Sequence, residues 1–104
     1  MRLWTEHTSE QKLAKSNMPY ELVPEGRFED DLEYWVRSSG TMEKIRDLLN
    51  SIRENPRAGI GKPERLKYFY PEEVWSRRIS REHRLLYRIE KNKVYLLRAR
   101  YHYE

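Results

Sequence analysis

From Pro19 onward the apolar residues recur at regular spacing, and the period changes once along the chain. Tyr20 to Val23 reads as a short strand, which Pro24 ends by removing a backbone donor. Phe28, Leu32, Trp35 and Val36 then fall at i, i+4, i+7 and i+8, the spacing of one helical face. Glu29, Asp30, Asp31 and Glu33 crowd toward the positive end of that helix. Ser38-Ser39-Gly40 is expected to close this helix and Thr41 to cap the next, whose stripe is Met42, Ile45, Leu48, Leu49 and Ile52 and whose stop is Asn55-Pro56.

Beyond residue 74 the pattern turns β-branched, aromatic and basic. Runs at Trp75 to Ile79, Arg84 to Ile89 and Val94 to Tyr101 are separated by connections short enough for antiparallel hairpins. In the middle run Leu85, Tyr87 and Ile89 alternate with Arg84, Leu86 and Arg88, so one sheet face should pack on the helices and a basic face should meet solvent. The predicted class is α+β, two N-terminal helices packed on an antiparallel sheet. The loop Arg57 to Glu64, with two glycines and a proline, lies between the halves, where chemistry rather than core is expected.

The first 18 residues keep neither period and read as a weakly structured extension with one helical turn around Glu10 to Lys15, leaving residues 19–104 as the folded domain. A chain of 104 residues with 38% apolar and 37% charged positions has room for one core. Without cysteine there is no disulfide framework and no thiolate metal site, and a cytoplasmic setting is expected, since no signal-peptide or membrane-length apolar run appears. The net charge of +4 conceals an asymmetry. Residues 1–40 hold five Lys/Arg against eight Asp/Glu, whereas residues 41–104 hold sixteen against nine, together with six of the eight tyrosines. A basic, tyrosine-rich half suits a polyanion, since phosphates attract cations and unstacked bases attract aromatic faces. It also describes an ordinary solvated surface.

Four stretches in order narrow that choice: Gly59-Ile60-Gly61-Lys62-Pro63-Glu64 with Leu66-Lys67, Trp75-Ser76-Arg77-Arg78-Ile79, Glu82-His83-Arg84-Leu85-Leu86-Tyr87-Arg88, and Ala99-Arg100-Tyr101-His102-Tyr103. Together they resemble the YoeB/Txe toxins, a branch of the RelE-like mRNA interferases of type II toxin–antitoxin systems. The resemblance implies a microbial-RNase-like fold and cleavage of messenger RNA in the A site of the translating ribosome. It also implies restraint by a cognate YefM-like antitoxin, and a toxin dimer able to bind it. It places the family's catalytic groups on Glu64, Arg84, His102 and Tyr103, and its loop lysine on Lys67. No cofactor is implied.

The chemistry of the residues agrees. Metal-free RNA cleavage needs a base for the ribose 2′-OH, an acid for the leaving 5′-oxygen and a cation for the phosphorane, and Glu64, His102 and Arg84 are groups of those kinds. No carboxylate cluster suggests a metal pair, and Lys62, Lys67, Arg77 and Arg78 are candidate phosphate contacts. Each residue also has a plain reading. Glu64 could be a solvated loop carboxylate, Arg84 a surface arginine paired with Glu82 or Glu90, and His102 an exposed terminal residue. His83, one step from Arg84 but directed to the other sheet face, suits a structural role or an antitoxin contact better than catalysis. Two departures stand out: Tyr68-Phe69-Tyr70-Pro71-Glu72-Glu73-Val74 replaces the family's Leu-Ser-Gly-aromatic turn, and Glu104 adds a carboxylate beyond the terminal tyrosine. They keep open a catalytically inactive RNA- or ribosome-binding module, or an antitoxin-binding interaction protein, on the same fold.

Overall fold

The computed structural model describes residues 19–101, so the expectations for residues 1–18, and for His102, Tyr103 and Glu104, fall outside it. The chain runs through β1 (Glu21–Pro24), α1 (Gly26–Trp35), α2 (Ser39–Glu54), β2 (Glu64–Arg65), a 3-10 turn (Lys67–Phe69), β3 (Glu73–Arg78), β4 (Arg84–Glu90) and β5 (Lys93–Arg98). The strands form one sheet in the order β1-β5-β4-β3-β2. Both helices cover a single face of it, which is the α+β arrangement the periodicity predicts.

The sheet is mixed rather than purely antiparallel. Successive tight connections make β3, β4 and β5 antiparallel neighbours, whereas β1 joins the free edge of β5 in parallel, with Leu22 beside Val94. The long passage through both helices allows that direction. The ends of β1 are fixed by backbone bonds from Glu21 N–H to Asn92 O (2.9 Å) and from Glu25 N–H to Leu96 O (3.0 Å). Pro24 is the last residue of this edge strand, where a missing donor costs least.

The core lies between sheet and helices. Phe28 from α1, Ile45, Leu48, Leu49 and Ile52 from α2, and Leu85, Tyr87, Ile89, Val94 and Leu96 from the sheet are all buried. Leu32, Trp35 and Trp75 pack partly buried against them. A smaller cluster of Leu66, Val74 and Leu86, with Leu97 against it, sits on the opposite face, so that face is an apolar floor fringed with arginine rather than uniformly basic. Alternation alone cannot show this, because Leu86 reads simply as one apolar break in a basic register.

Three local expectations change. The first helix ends at Trp35, and Ser38, not Thr41, caps the second: Gly40 and Thr41 lie in the first turn of α2, with Met42 N–H on Ser38 O (2.9 Å) and the Ser38 hydroxyl donating to Thr41 Oγ1 (3.1 Å). Glu64–Arg65, expected as loop, adds a two-residue edge strand to β3. The last strand stops at Arg98 rather than Tyr101, because side chains of α1 take over the backbone of Ala99. Asp31 Oδ2 accepts its N–H (2.8 Å), and the Trp35 indole N–H donates to its carbonyl (2.8 Å).

Asp31 is therefore not a solvated helix-end acid. It is 4% exposed and its carboxylate also accepts from Arg98 Nε (2.8 Å). Removing the carboxylate leaves the buried Ala99 N–H without its acceptor and breaks the contact with Arg98, at a cost of about 3 kcal/mol. Asp31→Ala is accordingly expected to lower unfolding free energy by about that amount in urea titrations, against less than about 0.5 kcal/mol for the exposed neighbour Asp30→Ala.

Candidate active site

The face of the sheet away from the helices carries the candidate chemistry. Residues directly opposite one another in an antiparallel pair share a face. Glu64 on β2 opposes Ser76 on β3, and Ser76 opposes Leu86 on β4. Two residues along, Arg78 on β3 opposes Arg84 on β4. Glu64, Arg78 and Arg84 therefore rise from one surface, with Glu64 and Arg84 two strand spacings apart, about 10 Å across the sheet. Long side chains can converge from there on a group the size of a phosphate. Two guanidinium groups at directly opposed positions repel each other, and an anion between them removes the penalty.

Arg84 leans back into the β3–β4 connection, where its Nη1 donates to the carbonyls of Ser80 (2.7 Å) and His83 (3.1 Å). Those bonds fix one edge of the guanidinium. Glu64 is exposed, as are Lys62 and Lys67, and Arg78 is half-buried.

The sheet also brings the C-terminal segment to this place. Arg84 N–H donates to Tyr101 O (2.8 Å), and Tyr101 N–H donates to His83 Nδ1 (2.8 Å). The acceptor role at Nδ1 requires that nitrogen to be unprotonated. The imidazole packs edge-on against Trp35 at 4.8 Å and tilted against Tyr101 at 6.0 Å. His83 is thus an anchor on the helix side of the sheet. Arg100 is held between Tyr34 and Tyr101, its guanidinium carbon 3.4 Å and 4.7 Å from their ring centres. His102 and Tyr103 lie outside the described residues, directly after this pinned Tyr101.

Arg77 does not join the candidate phosphate contacts. It lies on the helix-facing register with Trp75 and Ile79, is fully buried, and spends its whole guanidinium internally. Nε donates to the Tyr87 hydroxyl (3.0 Å), Nη1 to Ser51 Oγ (2.7 Å) and Ile60 O (3.0 Å), and Nη2 to Asn55 O (2.7 Å) and Ala58 O (2.8 Å). The Tyr87 hydroxyl in turn donates to Pro56 O (2.7 Å), and burial raises the pKa of that phenol. These bonds fold the passage from α2 into a loop wrapped around one cation.

The loop accommodates this only with glycine at two places. Gly59 sits at φ +126°, and a Cβ there would strike Ser51 Oγ and crowd Arg77 Nη1. Gly61 sits at φ +84° against Leu48, and its carbonyl accepts from Arg78 N–H (2.7 Å). Outside the loop, Arg57 grips Glu73 with Nε (2.6 Å) and Nη2 (3.0 Å). That hydrogen bond holds the Glu73 carboxyl below its ordinary range, and the same carboxylate accepts from the Trp75 indole (2.9 Å). The loop is thereby strapped to the start of β3 as well. None of these supporting roles is apparent from motif spacing. The signal that could have found Arg77 is its place in the Trp75-Arg77-Ile79 alternation, which puts it on the core side.

The five-stranded mixed sheet with two helices on one face is a fold shared with solved bacterial toxins. The family model described as "YoeB-like toxin of bacterial type II toxin-antitoxin system" matches residues 25–103. Toxin YoeB of Mycobacterium bovis is 43% identical over 75 residues, covering 71% of this chain and 87% of that protein. Toxin YoeB of Escherichia coli is 40% identical over the same length, with 71% and 88% covered. Among solved structures, the YoeB/ParE toxin from Agrobacterium tumefaciens superimposes with a TM-score of 0.72 at 39% identity, covering 80% of this chain and 99% of that one. The toxin in the heterotetrameric YoeB-YefM complex from Staphylococcus aureus gives 0.67 at 36%, with 81% and 98% covered. The chain belongs to the family of YoeB-like toxins of bacterial type II toxin–antitoxin systems.

The Arg77 cluster makes a specific demand on stability. Tyr87→Phe leaves Arg77 Nε and Pro56 O without their buried partner, which costs about 1–3 kcal/mol. Urea unfolding of Tyr87→Phe should show a loss in that range, whereas Tyr95→Phe, in a half-buried ring on the other face, should be close to neutral.

Proposed function

We propose that this chain is the toxin of a type II toxin–antitoxin pair and acts as an endoribonuclease on messenger RNA in the ribosomal A site. The observation that carries the reading is that Glu64, Arg78 and Arg84 share one sheet face. The backbone immediately before His102 is bonded to Arg84 and its neighbour His83.

In this mechanism Glu64 removes the proton of a ribose 2′-OH, whose oxygen attacks the adjacent phosphorus. A bond forms from the 2′-oxygen to phosphorus, and the bond from phosphorus to the 5′-oxygen breaks. His102 protonates that leaving oxygen. Arg84, with Arg78 beside it, stabilises the extra charge of the phosphorane. The products are a 2′,3′-cyclic phosphate and a 5′-hydroxyl, and no metal takes part in proton transfer. Tyr103 shapes the setting of the acid or stacks on a base, and Lys62 and Lys67 contact phosphates. The partners are a YefM-like antitoxin, the translating ribosome with its message, and a second copy of the toxin. Solved relatives support the protein partners: one is a YoeB dimer from Staphylococcus aureus and another a YoeB-YefM complex. The site of action is the cytoplasm, where translation runs.

Cleavage of a translated message, mapped by primer extension, tests the reading. Glu64→Gln and His102→Gln should each lower the single-turnover rate by about 10²–10⁴-fold, the usual worth of a general base or acid. Arg84→Ala should lower it by about 10²–10³-fold. If the variants cleave and arrest growth like the parent, the site is elsewhere.

A further inference from the structure

The turn between β2 and β3 exposes three aromatic rings in succession: Tyr68 is 82% exposed, Phe69 38% and Tyr70 75%. Elsewhere the exposed tyrosines have an evident task, since Tyr34 and Tyr101 bracket Arg100. Tyr68 and Phe69 meet edge to face with ring centres 6.0 Å apart, and Arg65 lies 5.9 Å from the centre of the Tyr70 ring.

The rings are presented rather than loose. The turn is closed by backbone bonds from Leu66 N–H to Val74 O (2.8 Å), Phe69 N–H to Leu66 O (3.3 Å), Tyr70 N–H to Lys67 O (3.1 Å) and Glu72 N–H to Phe69 O (2.9 Å). Leu66 is anchored beneath in the small apolar cluster. Outward-facing rings on a fixed backbone lose little freedom when something flat settles on them.

Charge indicates what that is. Lys67 belongs to the turn, and Arg65, on the register opposite to Glu64, reaches the Tyr70 ring from the sheet edge, so two cations lie beside the rings. On the other side a shallow cleft of about 370 Å³ is lined by Pro71, Glu72, Glu73, Arg88, Ile89 and Glu90, and its cations are already engaged, Arg88 with Glu90 and the neighbouring Arg57 with Glu73. A polyphosphate strand is drawn along the Lys67 side and turned away from the cleft. The patch also lacks exposed aliphatic side chains, which an amphipathic peptide helix would need for its Leu/Ile stripe. From the turn to Glu64 is three residues of extended chain, about 10 Å.

We propose that Tyr68 and Tyr70 form a stacking platform for nucleobases of single-stranded RNA next to the cleaved phosphate, with Lys67 and Arg65 on the adjoining phosphates. This rests on the endoribonuclease reading and adds to it a substrate contact outside the reacting groups. Because stacking accepts any base, the platform adds affinity and grip with little sequence preference.

The probe is a 2′-O-methylated RNA oligonucleotide, which lacks the nucleophile and stays intact, titrated at low salt against the full chain. The double variant Tyr68→Ala/Tyr70→Ala should bind it about ten-fold or more weakly. Tyr68→Phe/Tyr70→Phe, which keeps both rings, should bind within about two-fold of the parent. Circular dichroism and thermal unfolding check that the exposed substitutions leave the fold intact, and antitoxin binding should not change. Equal affinity of the alanine variant and the parent would overturn the platform. So would no binding by the parent, or a loss confined to antitoxin affinity, which would assign the turn to a protein partner. Failure of the parent to cleave translated message would instead remove the endoribonuclease reading, and the two results are separable.

Discussion

The guanidinium of Arg77 gathers the end of α2, the loop that follows it and strand β4 around one buried charge. It is fully buried, yet its hydrogen-bond partners are neutral: the Ser51 and Tyr87 hydroxyls and the carbonyls of Asn55, Ala58 and Ile60. The cation lies where the negative end of the α2 dipole emerges, which offsets part of its desolvation. Five donors in a rigid fork suit this geometry, and a lysine could not make all five bonds. Once the loop is wound on Arg77, Gly61 O meets Arg78 N–H, β2 is laid against β3, and Glu64 reaches the same face as Arg84.

A second set of contacts works at the other end of the sheet. Asp31 and Trp35 of α1 capture the backbone of Ala99, and the His83 imidazole captures that of Tyr101. Helix α1 thereby ends β5 early and fixes the segment that leads to His102. The helices on one face thus determine which groups gather on the other, through a buried arginine at the α2 end and a buried carboxylate from α1. Glu64, Lys62 and Lys67 stay exposed while Arg77 and Asp31 are internal.

Much of this was legible in the sequence, and what was not has a physical cause. The stripe Ile45-Leu48-Leu49-Ile52 and the alternation Leu85-Tyr87-Ile89 describe local periodicity, and both elements formed as read. The family resemblance, carried by four ordered motifs, agrees with the family model, which matches residues 25–103. Residue type points Arg77 to a phosphate, whereas its register with Trp75 and Ile79 points it to the core, and burial follows register. Asp31 was read as a helix-end acid because its partners, Arg98 and the Ala99 backbone, lie far along the chain and no local pattern announces them. The strand Glu64–Arg65 was missed since two residues carry no period. The parallel entry of β1 depends on topology, not on any property of Tyr20 to Pro24.

Native-state amide exchange on Arg77→Lys tests most directly whether this buried cation is what positions the loop. The chain should remain folded, with amides of the β4–β5 ladder such as Tyr87 keeping their protection. Ile60 and Arg78, whose N–H groups bond to Ser51 Oγ and Gly61 O, should exchange at least about ten-fold faster. Unchanged protection at Ile60 and Arg78 would contradict the account.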